Sequence, residues 1–234
     1  NIMCRKILLI MFISTVFCQE LTTEKEDIKF IKRNNASLLI DLNKSDVEWL
    51  GGLKYSTKDH FGKIKIKRGK INISKDYKIS GTVIIDMKTI TNDDIKNEWK
   101  QNLINHLKSP DFFNVEKYDT AKIEIKSSKI LEKLSNENFL IQIDAYLTIK
   151  SQSSRVRFNT VVDLKSPIKT ADGTLIFDRN DFGIQYRSEV HIYDPESFWN
   201  KVETTKSTAM DKIIKDEIKI DFSIKTKPEL VVLD

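Results

Sequence analysis

The chain has 234 residues, of which 40% are hydrophobic and 31% charged, and its 39 Lys and Arg residues against 34 Asp and Glu residues give a net charge of +5. This composition is typical of a globular protein and excludes disordered, collagen-like and low-complexity chains. The positive excess is small and dispersed along the chain, so no nucleic-acid partner is expected.

The first 18 residues show the pattern of a secretory signal peptide. Arg5 and Lys6 precede the apolar run 7–13, which is too short to cross a bilayer. We expect cleavage after Cys18, which places the mature protein in the periplasm or outside the cell. Acylation of Cys18 as a lipoprotein is the weaker alternative, because the bulky Phe17 stands where a small residue is usual. Cleavage removes both cysteines of the chain and so excludes cysteine catalysis and thiolate metal sites.

From residue 38 onward, apolar β-branched residues alternate with polar ones, as in Ile64-Lys65-Ile66-Lys67. Strict alternation predicts strands with one face in a core and the other in water. Eight such strands are predicted, at about 38–50, 60–73, 79–90, 121–130, 138–150, 155–164, 173–178 and 216–226. Since no helices lie regularly between them, the strands predict an all-β fold, either an antiparallel barrel or a sandwich.

No internal repeat or change of composition divides the strand-rich part of the chain, so we predict one domain over residues 38–228. The polar segment 19–37 is predicted to be a flexible lead-in, and residues 229–234 a short C-terminal tail. Residues 188–210 lack regular alternation and predict a long surface excursion between the last strands.

One amphipathic helix is predicted at 95–107. Thr91 supplies a capping hydroxyl with Asp94 three residues on, and a Ser-Pro pair follows the helix. The apolar stripe recurs every four residues and comprises Ile95, Trp99, Leu103 and Leu107. Together with Phe112 and Phe113, this stripe is expected to cap one end of the barrel, a role that is compatible with closing a ligand cavity.

Several segments together resemble one family of secreted bacterial proteins. They read WLGGLK at 49–54, HFG at 60–62, IIDMKTI at 84–90, HLKSPDFFNVEKY at 106–118, LTIK at 147–150, FDRNDFGI at 177–184 and IIKDEI at 213–218. On these motifs, of which HLKSPDFF is the most specific, residues 38–226 resemble the YceI-like family.

The resemblance implies an eight-stranded antiparallel, lipocalin-like barrel with one amphipathic capping helix. It also implies that the lumen binds a long-chain isoprenoid or a similar amphiphilic lipid, without catalytic activity and without a cofactor other than that lipid. The chain departs from the family after Lys150, where relatives commonly have Gly and this sequence has Ser151. The excursion at 188–210 is also longer than in many relatives, which could reshape the mouth.

Alternation places mainly aliphatic and aromatic side chains on the inward faces, and by itself it slightly favours a filled core. The resemblance implies instead a lumen that holds a lipid tail. The residues predicted to line the lumen and its lid are Trp49, Ile64, Ile66, Val83, Ile85, Met87, Trp99, Leu103, His106, Leu107, Phe112, Phe113, Ile125, Leu147, Ile149, Phe158, Phe177 and Phe182. Further inward positions include Val47, Ile123, Leu175, Ile218 and Ile220. The polar head is expected at the rim, with His60 and His106 as neighbours.

Two other interpretations stay open. An enzyme could use Asp86, which lies within an apolar run, or His106; the simpler interpretation is that Asp86 accepts a hydrogen bond from a turn and that Arg179 forms a structural charge pair. A partner-binding module could use the segment 191–210 as its contact.

No metal site is expected, because the histidines His60, His106 and His191 lack any local ligand spacing. Lysines on the outer strand faces, such as Lys63 and Lys65, favour transient contact with an anionic membrane surface. The oligomeric state stays open, since a strand edge or the mouth loops could pair two barrels in a homodimer.

Overall fold

The computed structural model describes residues 35–135, 137–192 and 212–228. The strands are β1 Ala36–Leu39, β2 Asp46–Gly52, β3 Asp59–Lys63, β4 Lys65–Ile73, β5 Ile79–Asp86, β6 Thr120–Ser135, β7 Asn138–Ile149, β8 Gln152–Asp163, β9 Thr170–Asp178 and β10 Glu217–Lys225. The helices are α1 Trp99–Lys108, α2 Glu189–Ile192 and two 3₁₀ helices, Met87–Thr89 and Arg179–Phe182. The predicted signal peptide, most of the lead-in, most of the 188–210 excursion and the C-terminal tail lie outside the described residues.

Every strand pairing in the described part is antiparallel, in the order β1-β4-β5-β6-β7-β8-β9-β10-β2-β3. The predicted all-β antiparallel fold is therefore confirmed, but the strand count is ten rather than eight. The predicted strand 38–50 is divided by a turn at residues 41–45, and the predicted strand 60–73 is divided at Ile64. At this residue the chain changes partner: β3 pairs with β2, and β4 pairs with β1.

The two ends of the sheet are joined by these bent strands, because β1 and β2 belong to one continuous pass of the chain. Ile40 forms a bridge with Thr226, and the Lys227 backbone N–H donates to the Leu39 carbonyl at 2.8 Å. The Ile64 backbone N–H donates to the Val47 carbonyl at 3.0 Å. The curled sheet thereby closes around an interior. We name as the upper end the one where β5, β7 and β9 end, and as the lower end the one where β4, β6 and β8 end.

β7 shows how alternation fills this interior. Its inward residues are buried, and the residues between them are partly or fully exposed. The buried set is Phe139, Ile141, Ile143, Ala145, Leu147 and Ile149. At the lower end, the rings of Tyr77 and Phe139 pack with centroids 5.3 Å apart, and Leu164 is fully buried. These side chains close the lower end.

The turn between β7 and β8 is made without a glycine at position 151, where relatives commonly have one and this chain has Ser151. Lys150 itself adopts a φ of 56°, in the left-handed region that favours glycine. Its ammonium group donates to the Gly183 carbonyl at 3.3 Å. This contact ties the turn to Gly183, at the end of the second 3₁₀ helix.

The start of α1 differs from the prediction, because two asparagines organise the segment before it. The Asn92 side chain accepts a hydrogen bond from the Ile95 backbone N–H at 3.0 Å, and the Asn97 side chain accepts one from Trp99 at 3.1 Å. The Thr91 hydroxyl, predicted as the helix cap, instead accepts from the Lys63 backbone N–H at 3.0 Å. α1 therefore begins four residues later than predicted.

This later start explains why one predicted inward residue points outward. Trp99 lies in the first turn of α1 and is 60% exposed, so the prediction that it lines the lumen is wrong. Leu107 is buried and Leu103 packs against the core, as the stripe predicted. Within the described residues, no helix is long and apolar enough to span a bilayer.

Candidate ligand-binding cavity

A cavity of about 290 Å³, named here the upper chamber, occupies the upper part of the barrel interior. Eleven of the predicted lumen and lid residues line it: Trp49, Ile64, Ile85, Met87, Leu103, Leu107, Phe112, Phe113, Leu147, Ile149 and Phe177. α1 and the two phenylalanines that follow it therefore form part of the chamber wall.

A second cavity of about 130 Å³, the lower chamber, lies toward the lower end. The predicted residues that line it without lining the upper chamber are Ile66, Val83, Ile125 and Phe158. The residues common to both chambers are Val47, Ile85, Ile123, Leu175 and Ile220. The two chambers therefore meet at one ring of aliphatic side chains and lie in series along the barrel.

Three predicted lining residues belong to neither chamber, namely Trp99, His106 and Phe182. The His106 ring packs edge-on against Phe112 and Tyr186, with centroids 4.9 and 4.7 Å away. Phe182 is fully buried and packs edge-on against Phe177 at 5.4 Å. His106 and Phe182 thus form a layer behind the chamber wall and support the aromatic residues that line it, whereas Trp99 is exposed.

Sequence reasoning missed lining residues that come from connections and strand ends rather than from alternating strand interiors. They include Leu53, Ile90, Ala121, Arg179, Ile184 and Ile214. Ile90 follows a 3₁₀ helix, and Ile184 follows the left-handed Gly183, so no period-two pattern marks either residue. Only the three-dimensional meeting of these segments at the upper end brings them to the chamber.

Arg179 is a buried cation at the edge of the upper chamber. Its side chain is 1% exposed and donates to the backbone carbonyls of Lys215, Ile184, Tyr186 and Ile214. It also donates to the Asp216 carboxylate at 3.0 Å. A guanidinium offers five N–H donors in a fixed fork, and these five acceptors match that number.

The chemistry of Arg179 is therefore structural. Burial lowers the pKa of the guanidinium, while the carboxylates of Asp216 and Asp178 oppose this shift. Arginine nonetheless stays protonated in proteins, so the charge is permanent. The predicted charge pair exists with Asp216, and it ties the 3₁₀ helix after β9 to the segment that leads into β10.

His60 and Asp94 form a polar pair where the upper chamber meets solvent. His60 lies on β3 and lines the chamber, with 40% of its side chain exposed. Its Nδ1 lies 2.8 Å from the Asp94 carboxylate. Partial burial raises the pKa of Asp94, but hydrogen bonds, the largest from His60, outweigh burial and hold this pKa below its ordinary value.

The segment that carries Asp94 is pressed against β3 because Gly62 has no side chain. A Cβ at Gly62 would lie 2.1 Å from the Thr91 carbonyl oxygen, a distance that backbone atoms cannot accept. The Trp49 indole N–H donates to the same carbonyl at 2.9 Å. The HFG motif therefore places the histidine beside its carboxylate partner through a close backbone approach.

The residues of the alternative enzyme interpretation are engaged elsewhere. The Asp86 carboxylate accepts a hydrogen bond from the Lys88 backbone N–H at 3.1 Å, which caps the first 3₁₀ helix. His106 is held among aromatic rings. In the part of the chain that the structure covers, no three His, Cys, Asp or Glu side chains cluster so as to hold a metal ion.

The sequence matches the YceI-like domain family over residues 39–226, which is most of the chain. The chain belongs to the YceI-like family. It is similar in structure to BcnA of Burkholderia cenocepacia, with a TM-score of 0.56 and 17% identity over 80% of this chain and 99% of that one. It is also similar to a polyisoprenoid-binding domain of Saccharophagus degradans implicated in plant cell wall breakdown, with a TM-score of 0.53 and 15% identity over 82% and 98%. No curated protein matches the sequence.

The most specific motif of this YceI-like chain, HLKSPDFF, forms the end of α1 and the return of the chain to the barrel. The Ser109 hydroxyl donates to the His106 carbonyl at 2.8 Å, and the Phe113 backbone N–H donates to the Leu107 carbonyl at 3.1 Å. These bonds end the helix and fold the two phenylalanines beneath it. The motif therefore builds one wall of the upper chamber.

Proposed function

We propose that this YceI-like protein binds a long-chain isoprenoid or a similar amphiphilic lipid in the two chambers and carries or sequesters it in the periplasm or outside the cell. The proposal rests on one observation: the barrel interior holds two apolar chambers in series, of about 290 and 130 Å³.

The unfilled volume itself favours a ligand. Protein interiors are close-packed, and voids much larger than one water molecule are few. An apolar cavity left empty destabilises a protein by roughly 24 cal/mol per Å³, and such cavities stay dry and accept apolar molecules. A lipid tail would fill this volume with matching chemistry and would gain about 0.8 kcal/mol for each buried CH₂ group.

The shape of the interior also fits a slim chain. Because β1 with β2 and β3 with β4 each form one pass of the chain, the ten strands make eight passes around the barrel. A barrel of eight passes is narrow, with room for one small ligand at most. The tail would pass the aliphatic ring that joins the chambers, and its polar end would lie at the upper end. α1 and Phe113 would close over it, since both contribute to the chamber wall. The described binding of a polyisoprenoid by the Saccharophagus degradans domain agrees with this ligand class.

Organic extraction of the natively expressed protein, followed by mass spectrometry, tests the proposal. We expect one long-chain lipid per protein molecule, and saturable uptake of a fluorescent prenyl probe after the lipid is removed. A protein that releases no lipid and shows no saturable uptake would contradict the proposal.

Two further proposals concern where the lipid is loaded and in what assembly. We propose transient contact with an anionic membrane surface through outward lysines, although Lys63 and Lys67 already pair with Asp46 and Asp119 at 3.0 and 3.3 Å. Uptake from anionic vesicles should then slow as salt is raised. We propose a homodimer as the assembly, and sedimentation of the pure protein with and without lipid tests it.

A further inference from the structure

We propose that His60 is the head-group contact of the lipid site, and that it selects a neutral head bearing a hydroxyl group over an anionic or capped one. This inference rests on the proposed function, because it assumes that a lipid tail occupies the chambers. It goes further by naming the chemistry of the polar end.

The position of His60 suits contact with a polar head group. It lines the upper chamber and is also partly exposed, so it lies at the boundary between the apolar interior and water. The other ionisable residue that lines this chamber is Arg179, within the part of the chain that the structure covers. An amphiphile with its tail in the chambers would therefore bring its polar end to one of these two side chains.

Arg179 is not available as a donor to a head group. Its guanidinium already donates to four backbone carbonyls and to Asp216. The lysines next to the chamber residues are also paired: Lys215 binds Asp59 at 2.6 Å, and Lys54 binds Glu189. A phosphate head at this mouth would have to compete with carboxylates that are already in place.

The contact with Asp94 determines which ring nitrogen of His60 carries a hydrogen. Asp94 is an acceptor when ionised, and it also accepts from the Phe61 backbone N–H at 3.1 Å and from the Asn92 side chain. Nδ1 of His60 must therefore carry the hydrogen that points at Asp94. In the neutral ring, Nε2 then presents a lone pair and is an acceptor. No described residue donates to that nitrogen or accepts from it.

With its ring neutral, His60 therefore offers an acceptor at the mouth, whereas the described cations Arg179, Lys54 and Lys215 are already paired. A hydroxyl can donate to Nε2, whereas a methyl ether cannot. Asp94 is the positioning residue, because it sets the hydrogen on Nδ1 and holds the ring in place. Gly62 makes the contact between His60 and Asp94 possible, since it lets the segment that carries Asp94 approach β3.

The test compares three probes with one tail: farnesol, farnesyl methyl ether and farnesyl phosphate. Affinities are measured at neutral pH on the delipidated full chain. We expect wild type to bind farnesol about 2- to 10-fold more tightly than the ether, which is the range for one net hydrogen bond. We expect the phosphate to bind no more tightly than the alcohol.

The variant His60→Phe should bind farnesol and the ether equally while it keeps tail binding. The matched control, His191→Phe, changes an exposed histidine that lines neither chamber and should keep the wild-type preference. Asp94→Asn keeps the size of the side chain but loses the fixed acceptor, and should reduce the preference without abolishing tail binding. It provides a second measurement if His60→Phe lowers the melting temperature.

The outcomes separate this inference from the proposed function. If wild type binds alcohol and ether equally, or binds the phosphate most tightly, the head-group assignment is wrong and lipid binding stands. If both His60→Phe and Asp94→Asn keep the full preference for the alcohol, the assignment is also wrong. If none of the three probes binds, the proposed function itself fails.

Discussion

The upper and lower ends of the barrel are closed by different kinds of interaction. The lower end is closed by strand pairing and by buried apolar side chains, among them Tyr77, Phe139 and Leu164. The upper end is formed by connecting segments that polar groups tie together, through Arg179 on one side and His60 with Asp94 on the other. Regular alternation thus builds the closed end, and specific long-range hydrogen bonds build the end where we propose that a ligand enters.

The largest expected effect comes from removing the cation at the upper end. Arg179→Met leaves four carbonyls and the Asp216 carboxylate without their donor in a buried place. We expect the free energy of unfolding in urea to fall by about 3–5 kcal/mol. Arg155→Met is the control, because this arginine pairs with Asp144 on the exposed face, and its loss should be much smaller. Equal losses would show that Arg179 does not hold the upper end.

Blocking the upper chamber should abolish most lipid uptake with less effect on folding. Met87 and Ile149 are buried and line that chamber, so Met87→Trp or Ile149→Trp places an indole where the tail would pass. We expect the affinity for a prenyl probe to fall by about tenfold or more, since overpacked sites resist repacking. Tyr146→Trp is the control, because it introduces the same side chain at an exposed position of β7, the strand that carries Ile149. Unchanged uptake by both blocking variants would contradict the lumen assignment.

Filling the lower chamber should change which tail binds rather than whether one binds. Val83 lines the lower chamber and not the upper one, so Val83→Phe shortens the available path from its closed end. We expect probes with long prenyl chains to lose several-fold more affinity than short ones, at the cost of about 1–3 kcal/mol of stability for overpacking. Val161→Phe, the same change at an exposed position, should leave the length profile as in wild type. A uniform loss at all lengths would mean that the two chambers do not act in series.

The smallest expected effect is the acid sensitivity of the upper end. The pKa of Asp94 is lowered in the folded protein, so its stabilising contribution is present above the unfolded value of about 3.9. That contribution is lost as the pH falls from there through the lower folded value. Asp94→Asn should therefore flatten the fall of the melting temperature below about pH 4, whereas the exposed Asp46→Asn should flatten it less. Identical acid profiles for Asp94→Asn and wild type would contradict this assignment.

The same contrast explains what the sequence could predict. The period-two pattern of β7 identified Leu147 and Ile149 as inward residues, and both line the upper chamber. The pattern works there because each residue's direction depends on its strand alone. The burial of Arg179 depends on the carbonyls of residues 184, 186, 214 and 215, which no local pattern reveals.

The helix shows a second limit of local reasoning. Four-residue spacing identified Leu103 and Leu107, but it could not place the start of α1, because Asn92 and Asn97 cap the chain ahead of it through their side chains. Trp99 therefore shares the spacing but not the environment of its neighbours. Likewise, the sequence spacing of His60 and Asp94 does not show that they meet. Their contact depends on a close backbone approach at Gly62, which no spacing pattern reveals.

The buried aromatic side chains at the lower end, Tyr77 and Phe139, bear on how a ligand would enter and leave the barrel. If a lipid binds as we propose, its hydrocarbon tip would enter through the upper end first and leave last, and its polar end would stay at the mouth of the upper chamber. A donor and an acceptor of the proposed lipid would then have to dock in turn at the upper end, and sequential rather than simultaneous binding of the two is the expectation.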